Sequence, residues 1–201
     1  MAAPVRRRSA SARGRWHATP SHHQEASLRH ARSNQAFVER FDGRLSSLGR
    51  AHSLLVQGEW RGADLAELAP DQLAPYTTDD PDRLRVKGEA LLLPADLATP
   101  FGLVLHELAT NAAKYGSLSR TGGTVELSWN TSVRNNQRVI RVVWQEKGGP
   151  PVSTPASASL GTQLIDNVIP HAKVRREFRP DGLVCSIEVT FAESADRAAA
   201  Q

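Results

Sequence analysis

Apolar side chains recur at alternating spacings of three and four along residues 38–55, where Val38, Phe41, Leu45, Leu48, His52 and Leu55 form a heptad seam. The seam predicts a long helix beginning near Gln24. An isolated helix is marginal in water, so this one suits a helical hairpin or a dimeric bundle. His52, at a seam position, is expected as a packed, hydrogen-bonded core histidine. Gly58, Trp60 and Gly62 break the pattern, and Trp60 is expected to pack where the helical part meets the next domain. A short helical piece follows over residues 64–68. Residues 84–93 read as a β-hairpin turning at Lys87, Gly88 and Glu89, and Pro94 ends it.

The next helix begins between Asp96 and Thr99, either of which can cap it. With Thr99 as the cap, Pro100 falls on the first helical position, where its missing N–H costs nothing. Gly116 is expected to end that helix in the usual C-terminal way. Residues 124–129 and 138–145 are β-branched and alternating, which predicts two strands joined around Asn135 and Asn136. A Gly- and Pro-rich stretch over residues 148–155, with small residues continuing to 159, reads as a mobile loop. Leu160, Leu164, Ile165 and Val168 give a short amphipathic helix, and residues 173–179 and 183–191 a closing hairpin around Pro180, Asp181 and Gly182. Strands and helices do not alternate in this order. An α+β layer of mixed sheet with helices on one side therefore fits better than a doubly wound parallel sheet.

Composition refines this picture in three ways. The 201 residues hold one domain of ordinary size plus a smaller element or tail. A single cysteine, Cys185, excludes internal disulfides and Cys-rich zinc sites, which fits a reducing, cytoplasmic setting. No apolar run reaches the length of a membrane span. The net charge of +4 is carried by Arg6, Arg7, Arg8, Arg13 and Arg15, and without these five the remainder is near −1. The body is therefore not basic, and no specific nucleic-acid partner is expected. Expected divisions are a disordered Arg-rich tail over 1–23, a helical region over 24–58, a folded domain over 59–192 and a frayed end over 193–201. The tail is expected to be a solvated segment or to arise from a shifted start or reading frame.

Candidate chemistry concentrates in HELATNAAKYG, residues 106–116. Wound into a helix, His106, Glu107, Thr110, Asn111 and Lys114 fall within an arc of roughly 140°. Asn and Thr are poor helix formers, so mid-helix they need another reason. A Mg²⁺ and phosphate site supplies one: a carboxamide oxygen is a hard ligand, an ammonium meets phosphate, and a carboxylate can orient a nucleophile. A surface helix with an accidental polar mixture is the alternative. In WQEKGGP, residues 144–150, a strand delivers Glu146 just before two glycines, and an acceptor there can take a hydrogen bond from an exocyclic amine such as that of adenine. In LGTQLI, residues 160–165, a glycine opens a helix whose free N–H groups can face phosphate oxygens.

Together these segments resemble the ATP-binding domain of the GHKL (Bergerat) superfamily, and within it the HWE group of sensor histidine kinases. That group is named for a His in the N box and a Trp-x-Glu in the first glycine box, matched here by His106, Trp144 and Glu146. FVERFDGRLSSLGRAHSLL looks like the second helix of the family's dimerisation hairpin, and FRPDGLVCSIEV extends the likeness toward the end. The resemblance implies a two-layer α/β sandwich binding ATP and Mg²⁺, preceded by a dimerisation-type helix. It implies that Glu107 and His106 belong to the catalytic part of the site, with Glu107 polarising the acceptor. It places Asn111, Lys114, Tyr115, Glu146, Gly148, Gly149, Leu160, Gly161 and Thr162 around ATP. Asn111 would hold Mg²⁺, Lys114 would contact phosphates and Glu146 would read adenine. Gly148, Gly149 and Gly161 would shape the lid and the phosphate-facing turn.

The chain departs from the family pattern at two places. Ser159, Leu160 and Gly161 stand where the family has Gly-x-Gly, which implies a less free lid. Nothing before Phe37 matches the phosphoacceptor box, a His followed by Arg and then Lys-Asn, and His17, His22, His23 and His30 all lack those followers. No phosphoacceptor is therefore expected in this chain. The implied function is the ATP-binding catalytic region of a kinase in two-component signalling, phosphorylating a histidine in trans and, through it, an aspartate on a response regulator receiver domain. Its implied partners are that receiver and a second copy or an intact kinase. The alternative is a non-catalytic dimerisation or adaptor module that keeps the nucleotide fold.

Overall fold

The computed structural model describes residues 22–134, 137–151 and 159–191, and of residues 22–33 the backbone alone. The expected tail through residue 21, the turn at residues 135–136, the loop residues 152–158 and the expected frayed end lie outside the described residues. The chain falls into two compact units, Met1–Arg40 and Phe41–Gln201.

Helix α1 runs over His22–Gln57, so His22 and His23 are helical rather than part of a tail. In the first unit its described side chains, residues 34–40, are all exposed. In the second unit its buried face takes in Leu55 of the predicted seam and otherwise lies beside it. Ser47, Ala51 and Leu55 are buried, whereas Phe41 and Leu45 are more than half exposed and His52 is exposed. Polar complementarity explains the choice of face. Ser47 Oγ donates to Gln72 Oε1 at 2.8 Å, and Gln72 Nε2 donates back to the Ser47 carbonyl at 3.1 Å. His52 is thus not a packed core histidine; its ring meets the exposed Trp60 edge-on, with centroids 4.9 Å apart. Past the helix, Glu59 and Trp60 adopt left-handed φ values of 51° and 62°, at about 1 kcal/mol or more each for side chains of this kind.

The remaining elements are β1 (Ala63–Asp64), α2 (Leu65–Leu73), β2 (Leu84–Gly88), β3 (Leu92–Leu93), α3 (Ala95–Lys114), β4 (Thr124–Arg134), β5 (Gln137–Lys147), α4 (Leu160–Asn167), β6 (Lys173–Arg179) and β7 (Gly182–Phe191). A five-stranded sheet is ordered β2-β4-β5-β7-β6, and β1 pairs with β3 separately. The pair β2/β4 is parallel and the other neighbours are antiparallel. The sheet is mixed, as expected. Alternation in β4, β5 and β7 buries one face, including Leu127, Trp144 and Cys185, beneath α2, α3 and α4. Burial pushes the Cys185 thiol up to about 12, so it is an inert core residue.

Three local expectations are corrected. Residues 84–93 form no hairpin: β2 lies parallel to β4, and a parallel pair needs a crossover, here through α3. Gly88 sits in the ladder opposite Trp129, whose ring occupies the space a Cβ would need, and the Glu89 carbonyl accepts from Trp129 Nε1 at 2.8 Å. The α3 helix starts at Ala95 with Pro94 before it, so Pro100 is inside the helix and Thr99 is not its cap. Burial of Leu97 and Ala98 anchors the first turn despite the hydrogen bond Pro100 cannot make. Finally, Gly116 follows the helix with φ −109°, not a left-handed cap. It is glycine for room, because a Cβ there would overlap Glu146 Oε2 and come 2.9 Å from the Ala112 Cα.

Candidate functional site

The polar face of α3 divides along its length. Its N-terminal half is occupied by protein. His106 and Glu107 are buried. His106 Nδ1 is 2.8 Å from Tyr76 Oη, which is also 2.8 Å from Thr110 Oγ1. Burial lowers the His106 pKa against the opposing pull of Glu107, favouring a neutral ring that shares one hydrogen bond with the tyrosine. Burial likewise raises the Tyr76 pKa, keeping its proton available to donate. On the other side, Arg44 Nε donates to Glu107 Oε1 at 2.6 Å, with 18% and 7% of the two side chains exposed. Gly43 and Arg44 of α1 therefore sit against this half. A Cβ at Gly43 would come 3.0 Å from His106 Nε2.

The C-terminal half is open. Asn111 is half-buried, Lys114 is exposed and Tyr115 is 64% exposed. Among the described residues, hydrogen bonds and ion pairs engage neither the Asn111 carboxamide nor the Lys114 ammonium, although the Asn111 carbonyl accepts from the Tyr115 and Gly116 amides.

The end of α3 meets the end of β5. Trp144 and Glu146, two apart on a strand, share its buried face. Trp144 Nε1 donates to Glu146 Oε1 at 3.1 Å and the Ser117 amide donates to Oε2 at 2.9 Å. Burial raises the Glu146 pKa, and these donors pull it back toward the charged form. The adjoining glycines are close-approach positions. A Cβ at Gly149 would lie 2.8 Å from both the Ser117 Cα and amide nitrogen, and Gly148 has φ +72°. At α4, Ser159 is the N-cap, its Oγ accepting from the Thr162 amide at 3.2 Å. Gly161 is pressed onto Glu107 Oε2, while Leu160 is 56% exposed.

Of the candidate residues, the structure thus brings Glu146 and Gly149 together at Ser117, beside Gly116, and joins Glu107 to Gly161. It sets His106 apart on Tyr76. Three contributors were not among the candidates: Arg44, Tyr76 and Ser117. The Trp-x-Glu spacing signals its own contact, but Arg44 and Tyr76 reach the face from distant elements and carry no local signal. His17 lies outside the described residues, and of His22, His23 and His30 the backbone alone is described.

No cluster of three or more His, Cys, Asp or Glu side chains able to hold a metal exists among the described residues. The donor set still fits Mg²⁺ accompanying a nucleotide, because Mg²⁺ keeps water and phosphate oxygens and takes few protein ligands. An unengaged carboxamide and ammonium one helical turn apart offer one hard oxygen and one phosphate contact.

The sequence pattern of the HWE histidine kinase family matches residues 24–90. A blue-light-activated histidine kinase of Brucella anthropi is 36% identical over 163 residues, covering 80% of this chain and 33% of that protein. The chain belongs to the HWE histidine kinase family. A second member of that name, from Brucella ovis, is 31% identical over 73% of this chain and 31% of its own length. The chain therefore spans about a third of the length of the curated relatives it matches. The histidine kinase domain of the Erythrobacter litoralis EL346 blue-light activated histidine kinase superposes with a TM-score of 0.56 at 19% identity, covering 74% of this chain and 73% of that one. That likeness shows the shared fold. Among the described residues no helix is long and apolar enough to cross a membrane.

Proposed function

We propose that this chain is the nucleotide-binding catalytic region of an HWE-type histidine kinase, passing the γ-phosphoryl group of ATP to a histidine on another chain and thence to an aspartate of a response regulator receiver domain. The observation that carries the reading is the end of α3: a buried, doubly hydrogen-bonded Glu146 beside an Asn111 carboxamide and a Lys114 ammonium that no hydrogen bond or ion pair engages among the described residues. Glu146 accepts the adenine amine, Asn111 offers its carboxamide oxygen to Mg²⁺, and Lys114 meets phosphate. Bound Mg²⁺ supplies charge neutralisation on the phosphates. Tyr115, Gly148, Gly149, Leu160, Gly161 and Thr162 surround the nucleotide. Glu107 polarises the incoming imidazole once Arg44 has yielded its place, and His106 holds the helix face in register through Tyr76. Residues 24–58 act as the remnant of a dimerisation hairpin, a role supported by the exposed Val38 and Leu45 of α1.

Incubating the chain with labelled Mg·ATP and an intact HWE kinase whose own nucleotide site is disabled tests this reading. Acid-labile label on that kinase is the expected result; no label, or acid-stable label, overturns it. One observation favours the second reading, a nucleotide-binding adaptor without transfer activity: Glu107 is already paired with Arg44. Nucleotide binding without label transfer would select it.

A further inference from the structure

We propose that Trp144 is a positioning residue for base selection, its indole N–H setting the direction in which Glu146 presents a lone pair to an exocyclic amine. This rests on the reading of Glu146 as the acceptor of the adenine amine. Trp144 is 1% exposed and lies in β5 with its ring inside the core, so its Nε1 is a fixed donor that cannot turn into an acceptor. It reaches Oε1 of Glu146 at 3.1 Å while the Ser117 amide holds Oε2 at 2.9 Å. Each carboxylate oxygen is then held by a protein donor, and rotation of the carboxylate would break both bonds. The close approach of Glu146 Oε2 to Gly116 confines it further. A core-filling role alone would ask only for a large aromatic at residue 144. The indole donor adds direction, and a site built to hydrogen-bond a ligand group discriminates strongly against analogues lacking it.

The test is a calorimetric titration of the full chain and its Trp144→Phe and Glu146→Leu variants with Mg·ATP and with Mg·purine riboside triphosphate, which lacks the 6-amino group. The wild-type chain is expected to prefer ATP. Trp144→Phe is expected to cut that preference by about tenfold, as loss of one hydrogen bond to a charged group would, without changing affinity for the amine-free nucleotide. An undiminished preference in Trp144→Phe, or equal weakening of both nucleotides, overturns the proposal while leaving the role of Glu146 intact. If the wild-type chain shows no preference, or Glu146→Leu, which has no acceptor, keeps it in full, the reading of Glu146 fails and the proposal falls with it. Should Trp144→Phe not fold, benzothienylalanine placed at residue 144 keeps the bicyclic shape without the N–H, and the same loss is expected.

Discussion

The two halves of the polar face on α3 are built from similar side chains and have opposite fates. At the N-terminal half, Glu107 and His106 are buried and each has a protein partner, Arg44 and Tyr76. At the C-terminal half, one to two turns on, Asn111 and Lys114 face outward with their side-chain polar groups unengaged among the described residues. The difference lies in the neighbours: α1 delivers Gly43 and Arg44 to the first half, while the second half opens beside the Glu146 carboxylate. Polar groups in a helix face can thus be paired within the fold at one end and left without a side-chain partner among the described residues at the other.

Removing a partner separates the halves by stability. Glu107→Ala strands Arg44, and urea unfolding is expected to show a loss on the order of 2–3 kcal/mol, below that of a fully enclosed pair because Arg44 keeps 18% of its side chain exposed. Equal stability of the variant would erase the distinction. Tyr76→Phe removes the hydroxyl shared by His106 and Thr110 and should cost about 1 kcal/mol in the same measurement. A pH series sharpens the point. Desolvation lowers the His106 pKa in the folded chain, with Arg50, Arg44 and Lys114 adding to it and Glu107 opposing. A lowered histidine pKa contributes stability that is present above its unfolded value, about 6.5, and lost as pH falls through the folded one. Wild-type stability should therefore drop below pH ~6.5 by more than that of His106→Gln. The smallest effect belongs to the open half, where Lys114→Ala should leave stability within about 0.5 kcal/mol while weakening nucleotide binding.

The amino-acid pattern made the α3 face and the Trp144–Glu146 pair legible because both follow from a local period, 3.6 on a helix and 2 on a strand. The hairpin of β6 and β7 followed from alternation and a turn signal, and the mixed sheet from the order of the elements. Partners were not legible. Alternation says which face of β2 is buried but not that its neighbour is the parallel β4, and Gly88 mimicked a turn residue while serving to admit the Trp129 ring. The face that α1 turns to its own chain was not legible for a related reason: Ser47 and Ala51 look unremarkable in sequence, yet Ser47 is bonded to Gln72 and both are buried. Arg44 and Tyr76 reach α3 across sequence separations of 63 and 30 residues, beyond any local pattern.

The measurement that bears most directly on the open half is calorimetric titration of the chain and its Asn111→Ala variant with ATP, with and without Mg²⁺. Saturable, Mg²⁺-dependent binding is expected, weakened by about tenfold or more in Asn111→Ala with the urea midpoint unchanged. Absence of binding by the wild-type chain, or equal binding by the variant, would contradict the assignment of this half of the face to a nucleotide.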